Sequence, residues 1–184
     1  MNFAATLLPT GQIFVSGGQK GANTTLNECE VLGQPTTAIP PMLHKRKAHS
    51  TIQYGSHIYA FGGQDEKGKL TASIERIAIN SKGQFGTGWE SVGQMPTACC
   101  NVGLAVDEHN NLLMIGGKTL QKTLKAVSVF DSASGGVHSR QVALLQTADC
   151  FPGANPIISS GGIPLIVGRE SIHRLDNFDE FAKL

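Results

Sequence analysis

The chain has 184 residues, with 15 Lys and Arg against 14 Asp and Glu, a net charge of +1. That near-neutral balance excludes a protein that gathers its partner by bulk charge, a nucleic acid above all. Glycine is abundant at 22 residues and no apolar run reaches the length of a membrane-crossing helix, so short strands and many turns are expected.

The chain opens on "MNFAATLLPTGQIFVSGG". This stretch lacks a basic start, and Pro9 and Gly11 interrupt its apolar run, so it is not read as a secretory signal. It reads as a strand, a turn at "PTGQ", and a second strand running into Gly17 and Gly18. "NECEVLG" and "TTAIPPM" follow as third and fourth strands. Asn23 in "NTT" reads as part of a solvated turn. The same order then returns: "HSTIQY", "IYAFGG", "ASIERIAIN" and "GWESVGQM". Trp89, at the start of the last of these, is expected to fill the wedge between adjacent units. A third pass runs "VGLAV", "LLMIGG", "AVSVFDS" and "SRQVALL". A fourth runs "NPIIS", "PLIVGR" and "SIHRL", then "NFDEFAKL", which is not a copy of a fourth strand.

The repeated glycines are Gly17, Gly62, Gly116 and Gly168, spaced by about 45 to 54 residues. Such a period is the mark of a repeat architecture, here with units of roughly 1–42, 43–95, 96–145 and 146–184. Four antiparallel strands per unit, without helices, describe an all-β propeller. The glycine pairs are expected where neighbouring units crowd together, because glycine allows close backbone approach and positive φ.

"MLHKRKAHSTIQYGSHIYAFGG" resembles a kelch repeat, through Met42, Arg46, His49, Ile58, Tyr59, Gly62 and Gly63. The next copy keeps Met95, Pro96, Gly116 and Gly117, but has Cys99 in the arginine place and Val102 in the histidine place. The last copy has Asp149 in the arginine place. The resemblance implies a kelch-type β-propeller of about four blades, the last incomplete, acting as a protein–protein interaction module or scaffold. Kelch rings ordinarily hold more than four blades, so a longer propeller or self-association is expected.

Antiparallel connectivity gathers the loops after each second strand, and the loops between units, on one face. Such loops on a rigid scaffold are where contacts concentrate. His44, Lys45, Arg46 and Lys47, with Gln64, Asp65 and Lys67 from a neighbouring loop, are the candidate partner-binding residues, suited to an acidic segment of another protein. A competing reading has Arg46 and His49 hold unit edges together by hydrogen bonds. His44, His49, Cys99 and Cys100 have no spacing that fixes four metal ligands, so no metal site is expected. No catalytic or cofactor-binding signature is present, and Glu28, Glu30 and Glu75 are placed well out from a central channel. An alternative comes from a likeness of "ATLLPTGQIFVSGG" to blades of galactose-oxidase-like copper enzymes or sialic-acid mutarotase-like propellers. Only Tyr54 and Tyr59 are available as the tyrosines that the copper chemistry needs. The four cysteines do not form a disulfide framework and are read as reduced thiols of a cytoplasmic protein.

Overall fold

Short runs of alternating or wholly apolar residues, each closed by a glycine or an Asn- or Asp-containing turn, favour hairpins over any longer element. The computed structural model describes residues 1–33, 39–107 and 109–131, and the backbone of strands at 140–144, 157–160, 163–167 and 172–174. Among the described residues there is no helix, hence none that could cross a membrane.

The first sheet contains β1 (Ala4–Leu7) and β2 (Ile13–Ser16). A small hairpin of β3 (Gln19–Lys20) and β4 (Thr24–Thr25) follows, and β5 (Cys29–Val31) completes the order β1-β2-β5. The second sheet is a four-stranded meander of β6 (Ser50–Tyr54), β7 (His57–Phe61), β8 (Ser73–Ala78) and β9 (Glu90–Gln94). The third repeats it with β10 (Gly103–Val106), β11 (Leu112–Ile115), β12 (Ala126–Phe130) and β13 (Arg140–Leu144). The fourth has β14 (Ile157–Ser160), β15 (Ile163–Val167) and β16 (Ile172–Arg174). Within each sheet the neighbouring strands pair antiparallel.

The leading strands of successive sheets lie side by side: β1 with β6, β6 with β10, and β10 with β14. This all-β arrangement of successive antiparallel sheets is consistent with a β-propeller; the described residues do not close a ring. The expected fourth strand of the first unit falls largely at 34–38, outside the described residues. Asp149, Cys150 and "NFDEFAKL" also lie outside them.

The first sheet packs its following face onto the second, and the second onto the third. Leu8 and Phe14 of the first unit join Ile58, Ala60, Ile77 and Trp89 of the second in one apolar cluster. Tyr59, Phe61 and Ile74 join Leu112, Met114 and Phe130 in another. Trp89 fills the wedge as expected, 6.4 Å from the Phe14 ring, with its Nε1 donating to the Pro40 carbonyl at 2.9 Å. The glycine pairs sit at these seams with positive φ, 59° at Gly62 and 102° at Gly63. A Cβ on Gly17 would lie 2.5 Å from the Arg46 carbonyl oxygen and 2.9 Å from the Met42 methyl. One unit on, a Cβ on Gly62 would run into the Cys99 carbonyl and the Met95 methyl. The recurrence of Met and Gly at one period therefore records a single contact made twice.

Candidate functional site

The candidate surface is assembled around a carboxylate. Glu75 stands in β8, opposite Ala60, and is wholly buried. An ionised carboxylate survives burial only when its oxygens are filled by donors. Here the Leu43 N–H donates to one oxygen at 2.8 Å, His44 Nδ1 lies 2.6 Å from the other, and the Arg46 guanidinium pairs with that same oxygen. Arg46 also donates to the Gly62 carbonyl at 2.8 Å and to Ser73 Oγ at 2.8 Å. Three of the four residues of the 43–46 loop, Leu43, His44 and Arg46, are thus tied to the second sheet.

This corrects one expectation. Arg46 is not a partner-binding residue: it is fully buried, and burial itself works to lower its pKa while Glu75 opposes that shift. The competing reading, a residue that joins unit edges, describes its backbone, whose N–H donates to the Leu26 carbonyl and whose carbonyl accepts from Gly18 N–H, while its side-chain bonds stay within the second unit. His49 joins the units through its side chain, its Nε2 lying 2.9 Å from Ser16 Oγ of the preceding sheet. Burial, helped by the nearby Arg46 charge, pushes His49 down to about 3, so it is neutral at ordinary pH. No hydrogen bond reaches its Nδ1. A lone pair is cheaper to leave unmet than an N–H, which favours the tautomer donating from Nε2 to Ser16.

Four of the other candidates come together. His44, Lys45, Asp65 and Lys67 line a groove of about 480 Å³ with Leu43, Glu66, Lys69, Leu70 and Thr71. Lys45, Lys67 and Lys69 are exposed on its rim, and Leu43 is 51% exposed. Asp65 shapes the loop, since its Oδ1 accepts the Lys67 and Lys69 N–H groups at 2.9 and 2.8 Å, an Asx-type turn. Lys47 and Gln64 lie apart from this groove. They exchange backbone hydrogen bonds at 2.9 and 2.8 Å, and the Lys47 ammonium reaches the Gln19 side-chain oxygen at 3.1 Å. Gln64 instead lines a second concavity with Asn2, Ala48, Asn101, Lys118 and Leu120.

Sequence reasoning left Lys69 and Leu70 out of the site and named Glu75 only as a carboxylate away from the central channel. The first two stand in the loop "QDEKGKLT", where no periodicity separates groove from solvent. Glu75 was legible only as a strand carboxylate, because its partners lie 29 to 32 residues away.

The tyrosines needed by a copper enzyme serve packing. Tyr59 is buried against Phe61 and Phe130, at 6.2 and 5.5 Å, and the Tyr54 hydroxyl donates to the Asn110 carbonyl at 2.7 Å. Among the described residues Cys29, Cys99 and Cys100 are free thiols. Burial raises Cys29 and Cys99 to about 12, which keeps both protonated and unreactive.

With this geometry in hand, comparison with known proteins adds a relative. The chain is 26% identical over 113 residues to Kelch-like protein 38 of Mus musculus, a match covering 61% of this chain and 18% of that protein. No protein-family model matches the chain. The described chain thus spans under a fifth of the length of this relative.

Proposed function

We propose that the chain is a kelch-type protein-interaction module that holds an acidic segment of another protein in the groove between Leu43–Lys45 and Asp65–Thr71. The observation that carries this is the pairing of a rigid wall with a cationic rim. Glu75 and Arg46 immobilise the 43–46 loop from inside, so Lys45 faces Lys67 and Lys69 with little loop entropy to lose on binding. Leu43 and Leu70 supply apolar surface along the groove. An extended segment with Asp or Glu beside an apolar residue matches both features. The kelch resemblance supports a scaffold of this kind, and a cytoplasmic setting with reduced thiols belongs to the same reading.

The test is fluorescence anisotropy against labelled acidic peptides, each with one apolar anchor. Replacing Lys45, Lys67 and Lys69 together by Ser is expected to weaken binding about tenfold or more and to flatten its salt dependence. Asn110→Ala, on the opposite loop face, is expected to leave it unchanged. If Asn110→Ala abolishes binding and the triple change does not, the binding face is the other one. Copper analysis with a sugar-oxidation assay separates a binder from the enzyme alternative.

A further inference from the structure

Lys47 exchanges backbone hydrogen bonds with Gln64, and Cys100 exchanges them with Lys118, so the two hold the same place one unit apart. In the first seam the Lys47 side chain is half-buried and its ammonium donates to Gln19 Oε1 at 3.1 Å, while Gln19 Nε2 donates to the Gly21 and Ala22 carbonyls. Gln64 follows Gly62 and Gly63 as Gln19 follows Gly17 and Gly18. In its seam the lysine place holds only the Cys100 thiol, and the Gln64 carboxamide has no hydrogen-bond partner among the described residues. A concavity of about 400 Å³ opens there, with Asn2, Gln64, Cys100, Asn101 and Lys118 in its lining. Backbone hydrogen bonds from Ala48 to Asn2 and from Asn101 to Ala48 fix one wall of it. Burial pushes the Cys100 thiol up, so it stays protonated. No Asp or Glu lines the concavity among the described residues, and the exposed Lys118 carries the formal charge.

We infer that this concavity is a second binding site, which takes an Asp or Glu side chain of the same partner segment that occupies the groove; the shared segment rests on the groove as the first site. The Lys118 ammonium supplies the charge, and the carboxamides of Gln64 and Asn101 supply neutral donors, the mixture that a carboxylate accepts. A partner lysine, the direct counterpart of Lys47, is disfavoured, because its ammonium would meet that of Lys118 with no carboxylate to offset it. The two depressions adjoin. Gln64 lines the concavity and Asp65 the groove, and Gln64 is also bridged to Leu70 of the groove. An extended segment advances about 3.3 Å per residue, so a few residues carry it from one depression into the other. Contacts joined on one segment then reinforce each other, since the second forms without a separate encounter.

Nuclear magnetic resonance of the side-chain amides tests the site, with acetyl-aspartyl-amide as probe and acetyl-asparaginyl-amide as its neutral control. The expected result is a saturable shift of the Gln64 and Asn101 signals with the aspartyl probe alone. Cys100→Lys, which supplies the side chain that the first seam already has, should abolish that response. Lys118→Ser, on an exposed side chain, should abolish it without changing the melting temperature. An unmoved Gln64 signal, an equal response to the asparaginyl control, or a response that survives Lys118→Ser overturns the site. Fluorescence anisotropy then compares acidic peptides that fill the groove alone with longer ones carrying a second Asp at successive spacings. The best longer peptide is expected to bind about tenfold tighter, and Lys118→Ser to remove that gain while leaving the short peptide's affinity unchanged. Equal affinities at every spacing overturn the placement of both contacts on one segment. A short peptide that fails to bind while the Gln64 signal still responds overturns the groove, and with it the shared segment, while the carboxylate site stands.

Discussion

The seam between the first two sheets and the seam between the second and third share one backbone and differ in chemistry. In the first, Gly18 N–H donates to the Arg46 carbonyl at 2.9 Å; in the second, Gly63 N–H donates to the Cys99 carbonyl at 3.0 Å. Lys47 and Gln64 exchange backbone hydrogen bonds, and Cys100 and Lys118 do the same one unit on. Near the leading strands, Ala48 N–H reaches the Asn2 carbonyl at 2.8 Å and Asn101 N–H reaches the Ala48 carbonyl at 2.9 Å. Over this common frame the side chains change together. Arg46, Glu75 and His49 of one seam become Cys99, Ser128 and Val102 of the other, all buried. The backbone interlock therefore defines the junction, and either a satisfied ion pair or a small thiol and hydroxyl completes it.

The largest break in that comparison is Glu75→Ala. It leaves the Arg46 guanidinium buried without its counter-ion and is expected to cost about 3–5 kcal/mol in urea denaturation. Ser128→Ala at the matching place should cost about 1 kcal/mol or less. Arg46→Cys with Glu75→Ser, which gives the first seam the chemistry of the second, should cost less than Glu75→Ala alone. A double variant at least as unstable as that single one would show the two seams are not interchangeable.

Gly62→Val comes next, because its side chain would run into the Cys99 carbonyl from a backbone at φ 59°. A loss of about 2–3 kcal/mol is expected. Gly68→Ala, at φ 78° with nothing near its Cβ, isolates the backbone strain and should cost about 1 kcal/mol. Equal melting temperatures for the two variants would remove crowding as the reason for the glycine pairs.

His49 adds a pH dependence that the second seam lacks. Its folded pKa of about 3 lies below the ordinary value of 6.5, so the unfolded chain binds the extra proton between those values. Stability from the neutral ring is complete above pH 6.5 and falls as pH drops toward 3. The slope is about 1.4 kcal/mol per pH unit. His49→Val, copying Val102, should flatten that slope in denaturation curves taken between pH 7 and about 5. The smallest effect is expected at Ala48, whose φ of 52° is one that Asn2 and Asn101 adopt with less strain at the equivalent places. Ala48→Asn should raise stability by a few tenths to about 1 kcal/mol, read as a higher melting temperature.

Most of the strand order was legible before any coordinates, because a repeat writes the same local instruction several times. A turn residue, an apolar run and a closing glycine recur from "IFVSGG" to "LLMIGG"; the turns and runs are decided by neighbours within a few residues, and the glycines by the same crowding at each seam. The binding face was legible only in part. "HKRK" offers four polar side chains of similar appearance, yet His44 straddles the surface, Lys45 faces the groove, Arg46 is fully buried and Lys47 is half-buried against Gln19.

The sequence by itself determined the period, the alternation within strands and the need for glycine at the seams. The alternation follows from burial on one side of a strand, and the glycines are marked by their recurrence at the period where successive units crowd together. Only the tertiary structure decided which member of a basic cluster turns inward, and that Glu75 is the acceptor it meets. That choice depends on a sheet contributed from 29 residues away, and on whether enough donors converge there to repay taking a charge out of water.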